Sequence, residues 1–195
     1  MYTYQSDWFT PQIPLWEQYL EEFKGKDDIS FLEIGSFEGR SAVWLLTNIL
    51  TGTHAKLVCI DTFEGSIENQ TKAGIDLTQI ETNFDNNIKQ SGSSHKVQKI
   101  KETSVRSFQK LSLNSYDCIY IDGSHTAEDV LSDAVMYFHL LKKGGVMIFD
   151  DYMWEEVGMK DLDTPQPAID AFLAINRREL DVLYKGIQVI LRKKK

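Results

Sequence analysis

The sequence predicts an α/β protein: a doubly wound, mostly parallel sheet of about seven strands with helices on both faces, closed by a C-terminal antiparallel hairpin. Three observations point there. Short β-rich apolar runs alternate with helix-period segments along most of the chain. Several of those runs stop at a glycine or a carboxylate (Gly35, Asp61, Asp122, Asp150), as parallel strands do at an edge that binds ligands. The last two β-rich runs, Leu180–Tyr184 and Ile187–Leu191, are separated only by Lys185-Gly186, which suits a hairpin.

Taken in order, residues 1–14 are aromatic and polar with prolines at 11 and 14, and read as irregular. A helix from Leu15 to Phe23 follows from Leu15, Tyr19, Leu20 and Phe23 at helical spacing, with Gly25 as its stop. Residues 1–28 thus form an N-terminal cap, and 29–195 the core of a single domain. Ile29–Ile34 is the first strand, and Gly35–Gly39 a glycine-bounded turn. The next helix buries Ala42, Leu45, Leu46 and Ile49. Ala55–Ile60 is the second strand, followed by a polar loop over 62–74. A helix over 76–89, a strand over 96–100 and a short helix over 105–111 complete the first half. Tyr116–Tyr152 then reads strand, helix, strand. After a second loop, Pro165 and Pro167 open a helix running to Asn176, because proline is tolerated in a helix's first turn.

Composition narrows the function. A chain of 195 residues with 42% hydrophobic and 26% charged residues suits one soluble domain. Its formal net charge of −8 opposes non-specific binding to nucleic acid, which depends on Lys and Arg at phosphates. Cys59 and Cys118 sit inside apolar runs and read as reduced core residues. The N-terminus has no basic start followed by an apolar run, and no segment reaches membrane-spanning length, so the expected setting is the cytoplasm.

Two groups of residues carry chemistry. The first strand–helix junction reads Glu33-Ile-Gly35-Ser36-Phe-Glu-Gly39-Arg-Ser41. Its glycines let backbone approach a ligand, and the helix start offers free N–H groups. The spacing is not that of dinucleotide binders, and Glu33 suits an ammonium better than a pyrophosphate. A tight turn with no ligand is the plainer alternative. Asp61 is placed to accept from ribose hydroxyls, or simply to cap its strand end. The second group is Asp122, Asp150 and Asp151, with His125 close behind Asp122. Carboxylates without cysteine suit Mg²⁺, Ca²⁺ or Mn²⁺ better than zinc. Histidine titrates near neutral pH and so serves as a general base, although His125 could equally cap the helix that starts near Thr126.

Together these residues resemble the class I, Rossmann-like S-adenosylmethionine-dependent methyltransferases. Tyr120-Ile-Asp122-Gly-Ser-His125 and Gly144-Gly-Val-Met-Ile-Phe-Asp150-Asp151-Tyr152 are similar to the metal-dependent, macrocin-type small-molecule O-methyltransferases, over about residues 31–152. The resemblance implies that Glu33, Gly35 and Ser36 line the methionine end of the cofactor, within the motif that also holds Gly39 and Ser41. It implies that Asp61, with Thr62 and Phe63, meets the ribose, that Thr103 and Ser104 lie near the adenine, and that Asp122 borders the cofactor. It further implies a divalent cation such as Mg²⁺ on Asp122, Asp150 and Asp151, and His125 as the base.

The expected reaction is methyl transfer from S-adenosylmethionine to a small-molecule hydroxyl, on a sugar, polyketide or other diol acceptor. Nucleic acid and membrane are not expected partners, and a homo-oligomer is compatible with the reading. The acceptor should be chosen by Trp8-Phe9, by residues 63–74 and by Tyr152-Met-Trp154. Other classes remain: a metal-independent methyltransferase acting on nitrogen or RNA, a non-catalytic cofactor-binding domain, and, more distantly, a nicotinamide dehydrogenase.

Overall fold

The structure, a computed structural model, describes residues 1–65, 74–154 and 164–194. Seven strands form one mixed sheet in the order β3-β2-β1-β4-β5-β7-β6. They are β1 (Ser30–Ile34), β2 (Lys56–Asp61), β3 (Val97–Lys101), β4 (Tyr116–Ile121), β5 (Leu141–Phe149), β6 (Leu180–Lys185) and β7 (Val189–Lys193). The doubly wound α/β expectation holds, including the antiparallel ending: β2–β3, β1–β4 and β4–β5 are parallel, whereas β5–β7 and β6–β7 are antiparallel. By contacts the chain falls into two compact units, Met1–Ser30 with Ser36–Lys101, and Phe31–Gly35 with Glu102–Lys195.

In the first unit, α1 (Ile13–Leu20) begins earlier than expected, because Pro14 occupies the first helical turn where its missing N–H costs nothing. Trp16 is fully buried, and its ring stands edge-on to Phe9 (4.8 Å) and Trp44 (5.8 Å). Helix α2 (Arg40–Asn48) buries Ala42, Leu45 and Leu46 as its periodicity requires. Helix α3 (Ile80–Gln90) buries Ile80, Phe84 and Ile88, one residue per helical turn.

In the second unit, α4 (Ser104–Phe108) is short, while α5 (Ala127–Phe138) and α6 (Pro165–Asn176) are three-turn helices. Phe172 of α6 packs against Phe138 of α5 (5.3 Å) and Phe149 of β5 (5.6 Å). The hairpin turn lies one residue later than predicted: β6 continues through Lys185, and Gly186–Gln188 make the turn, closed by the Gly186 N–H donating to the Gln188 carbonyl. Cys59 and Cys118 are buried in the core, as expected. Among the described residues, no helix is long and apolar enough to cross a membrane.

Helix α5 also buries a carboxylate that its apolar periodicity conceals. Asp133 is 4% exposed and accepts from the Ser104 hydroxyl. Burial pushes its pKa up to about 6, more than that hydroxyl and the Asp129 charge alter it.

Two outcomes follow. A Cβ on Gly35 would sit 1.8 Å from the Asp122 carbonyl oxygen, at a φ of +83°, whereas one on Gly39, at a φ of +76°, would meet side chains alone, the Phe84 ring at 2.9 Å and Ile88 at 3.7 Å. Gly35→Ala should therefore lose more than about 3 kcal/mol in urea unfolding, and Gly39→Ala nearer 1 to 2 kcal/mol. Asp133 binds its proton more tightly folded than unfolded, so its contribution favours the fold below about pH 4 and is lost as pH rises through about 6. Asp133→Asn, which keeps an acceptor for Ser104, should gain on the wild type by roughly 2 to 3 kcal/mol between pH 4 and pH 7 in denaturant melts.

Candidate active site

In the second unit, backbone hydrogen bonds set consecutive strand ends side by side. The Asp122 N–H donates to the Ile34 carbonyl (2.9 Å), and the Asp150 N–H donates to the Ile121 carbonyl (3.0 Å). Glu33, fully buried in β1, sits opposite Tyr120 of β4. The last residues of β1, β4 and β5 thus bring Glu33, Asp122 and Asp150 to one edge.

The Tyr120 hydroxyl lies between two of these carboxylates. It is 2.7 Å from Asp122 Oδ2 and makes a short hydrogen bond to Asp150 Oδ2. One hydroxyl has one proton, so it satisfies one carboxylate, and the other must share a proton of its own or a cation. Asp150 is otherwise well supplied: Oδ1 accepts the Asp151 N–H (2.8 Å), and Oδ2 accepts Gln188 Nε2 (3.0 Å). Burial first, then the charges of Asp150, Asp151 and Glu33, push Asp122 well above the usual carboxylate range. Burial and the Asp151 charge push Asp150 up to about 6, against the pull of its three donors. Tyr120 is raised for the same reasons, burial foremost.

Asp151 adopts a left-handed backbone (φ 56°) and brings its carboxylate to 2.9 Å from His125 Nε2. The Trp154 ring lies 4.6 Å from the His125 ring, and the Trp154 N–H donates to the Asp151 carbonyl (2.9 Å). Thr126, not His125, caps α5, with its side chain accepting the Asp129 N–H. That removes the capping alternative for His125. One ligand atom each from Asp122, His125 and Asp151 lies within 4.8 Å of the others. Asp150 is directed instead to Tyr120 and Gln188. The charges acting on Asp122 are all carboxylates, so the donor set fits a divalent cation, whose binding would relieve their repulsion.

Thr103 and Ser104 lie where β3 gives way to α4. The Thr103 carbonyl accepts from the Ser107 N–H and hydroxyl, and the Ser104 carbonyl accepts the Tyr137 hydroxyl at 2.8 Å.

In the first unit, the turn before α2 is built on left-handed residues. Phe37 has φ 46° and Gly39 φ 76°, and the Gly39 N–H donates to the Ser36 carbonyl (2.7 Å). Ser36 is 2% exposed and its hydroxyl has no hydrogen-bond partner among the described residues, a polar group that a ligand could satisfy. Ser41 is buried in the first turn of α2. Asp61 gathers the turn: Oδ2 accepts the Phe37 N–H (2.7 Å), Oδ1 accepts the Phe63 N–H (2.6 Å), and the N–H groups of Ser36 and Thr62 add to them. Burial pushes Asp61 up, and these donors hold the rise in check. Its carboxylate thus does the work of a strand-end cap, fixing Phe37 and Phe63 in left-handed geometry.

Sequence reasoning missed Tyr120, Gln188 and Asp133. Tyr120 stands two residues before Asp122 and so shares its strand face, but in an apolar run its hydroxyl does not stand out. Gln188 reaches Asp150 only because β7 pairs with β5. Of the segments expected to choose the acceptor, residues 66–73 lie outside the described residues. Phe9 is buried against Trp16, while Trp8 is 49% exposed.

The model of a methyltransferase-domain family matches residues 32–152. An uncharacterized protein of Acanthamoeba polyphaga mimivirus is 32% identical over 133 residues, which cover 65% of this chain and 53% of that protein. The chain therefore spans about half the length of that curated relative. Among solved structures, an O-methyltransferase from Bacillus cereus in complex with SAH is 18% identical with a TM-score of 0.66, covering 99% of this chain and 84% of that one. The O-methyltransferase TomG from Streptomyces achromogenes, in complex with SAM, is 15% identical with a TM-score of 0.66, over 95% of this chain and 80% of that one. A putative rRNA-methylase from Clostridium thermocellum is 11% identical with a TM-score of 0.69, over 94% and 96%. At these identities the structures share the fold, and the match over residues 32–152 carries the assignment: the chain belongs to the methyltransferase-domain family.

Proposed function

We propose that the protein transfers a methyl group from S-adenosylmethionine to a hydroxyl of a small molecule, with a divalent cation, Mg²⁺ or Mn²⁺, at Asp122 and Asp151. The observation that carries this reading is the cluster of Asp122, Asp151 and His125 at the ends of β4 and β5, in a chain of a methyltransferase family. Solved structures of the same fold that hold SAM or SAH support the donor. By the family resemblance, Glu33, Gly35 and Ser36 meet the methionine end, Asp61 holds the turns that meet the ribose, and Thr103 and Ser104 lie by the adenine.

The donor is already a strong electrophile, so the protein's task is to align and deprotonate the acceptor. His125 is oriented by Asp151 at Nε2 and by the Trp154 ring at its face. The neutral His125 ring so oriented takes the acceptor's hydroxyl proton. The freed oxygen forms a bond to the methyl carbon as the carbon–sulfur bond breaks, and the electron pair stays on sulfur, giving S-adenosylhomocysteine. A bound cation would make that hydroxyl more acidic. Asp150, held by Tyr120 and Gln188, serves to position Asp151 through its N–H rather than as a principal ligand. A net charge of −8 favours a small acceptor over RNA.

Asp122→Asn tests the cation site. It keeps an acceptor for Tyr120 and removes one of several crowded charges, so the variant should melt no lower than the wild type. Calorimetry should show Mn²⁺ affinity falling by about tenfold or more, with S-adenosylhomocysteine affinity within about threefold. Unchanged Mn²⁺ binding, or full activity after chelation, would remove the cation from this proposal. His125→Ala separates base from ligand. As the base, its loss should cut turnover by about 10²- to 10⁴-fold while Mn²⁺ affinity stays within about threefold; a tenfold weaker ion would make His125 a ligand.

A further inference from the structure

The turn at Ser36–Gly39 is held from outside by the N-terminal segment. Glu38 is 1% exposed, and its carboxylate is spanned by Gln5: the Gln5 N–H donates to Oε2 (2.7 Å) and Gln5 Nε2 donates to Oε1 (2.8 Å). Asn83 Nδ2 of α3 donates to the same Oε1 (2.7 Å). Asn87, fully buried one turn later, donates to the Glu38 carbonyl (2.9 Å) and the Thr3 carbonyl (2.8 Å), and accepts the Thr3 N–H (2.8 Å). Gln5 is itself fastened at Asp76, accepting the Asp76 N–H (2.6 Å) and donating to its carbonyl (3.1 Å). Arg40, the first residue of α2, reaches Asp7 (2.7 Å) and lies over the Tyr4 ring (4.7 Å). Trp8 covers the Phe37 ring, with centroids 5.2 Å apart.

Much of this hardware acts on a strained backbone. Phe37 is a bulky residue at positive φ, a conformation that persists only where its surroundings impose it. Asp61 fixes the Phe37 N–H, Trp8 covers its ring, and Gln5 with the two asparagines immobilises the next residue. A buried carboxylate whose donors among the described residues are neutral is a poor way to gain stability, and is better suited to specifying one conformation. The turn it specifies contains the buried Ser36 hydroxyl, which has no hydrogen-bond partner among the described residues.

We infer that the N-terminal strap, Thr3–Trp8, sets the affinity for S-adenosylmethionine, with Gln5, Trp8 and Glu38 as positioning residues that hold Ser36–Gly39 in its binding conformation. This rests on the proposed reading that the turn meets the donor. None of the three residues needs to touch the cofactor.

Gln5 and Trp8 lie in a partly exposed segment, so Gln5→Ala and Trp8→Ala should fold. Calorimetry with S-adenosylhomocysteine should show each variant binding about tenfold more weakly than wild type. In Gln5→Ala the KM for S-adenosylmethionine should rise to match, with kcat at saturating donor within about twofold. Trp8→Phe, which keeps a ring over Phe37, should recover most of the affinity. Amide exchange at Phe37 and Glu38 should quicken in Gln5→Ala and Trp8→Ala without any cofactor. Unchanged cofactor affinity with a lowered thermal midpoint would overturn the inference, because the strap would then serve stability alone. Unchanged exchange at Phe37 would overturn it as well. Wild-type protein that fails to bind S-adenosylhomocysteine would instead sink the proposed function, and the exchange comparison would still report whether the strap holds the turn.

Discussion

Gly35 and Asp122 leave no room for a side chain between them. A Cβ at Gly35 would lie 1.8 Å from the Asp122 carbonyl oxygen and 2.8 Å from the Gly123 Cα. That proximity expresses how β1 and β4 end: two parallel strands finish in register, with the Asp122 N–H on the Ile34 carbonyl. The β5 end repeats the step one strand on, with the Asp150 N–H on the Ile121 carbonyl. The positions of Asp122 and Asp150 therefore follow from strand registry. Only a glycine at residue 35 allows the registry to continue to the last residue.

Registry assembles charge that the site must then manage. Glu33, Asp122, Asp150 and Asp151 are brought to one edge, where burial strengthens their repulsion. The structure answers with neutral donors: the Tyr120 hydroxyl between Asp122 and Asp150, the Gln188 amide on Asp150, and the Asp151 N–H. These leave Asp122 short of a donor and Asp151 directed at an imidazole. Perturbed carboxylates kept at a strand edge despite their cost are where chemistry is to be sought.

Much of this was legible in the sequence, for identifiable reasons. Strand–helix alternation and the carboxylates at strand ends are local signals, so the fold class, the hairpin and the grouping of Asp122 with His125 and Asp151 could be read from spacing. Helix α1 starts two residues before the expected Leu15, since the periodic apolar residues begin there while a first-turn proline is neutral. The partners of Asp150 were not legible. Tyr120 passes for one more apolar strand residue, and Gln188 comes close only through the pairing of strands distant in sequence. Glu38 was hidden likewise: its partners Gln5, Asn83 and Asn87 come from an N-terminal segment and a helix that no periodicity connects to a glycine turn.

Two half-buried aspartates at strand ends show how environment divides labour between identical groups. Asp61 receives backbone N–H groups from Ser36, Phe37, Thr62 and Phe63, about as many as a carboxylate can accept. Backbone donors neither titrate nor swing away, so this carboxylate is satisfied at rest and its energy goes into holding two left-handed turns. Asp122 receives a side-chain hydroxyl that it shares with Asp150, and otherwise feels only other carboxylates. It is incomplete without a proton or a cation. A satisfied carboxylate organises structure, and an unsatisfied one is available for chemistry. By that criterion Asp61 belongs to the architecture of the Ser36–Gly39 turn, whereas Asp122 is left open to a proton or a cation, a distinction that residue type and strand position alone do not make.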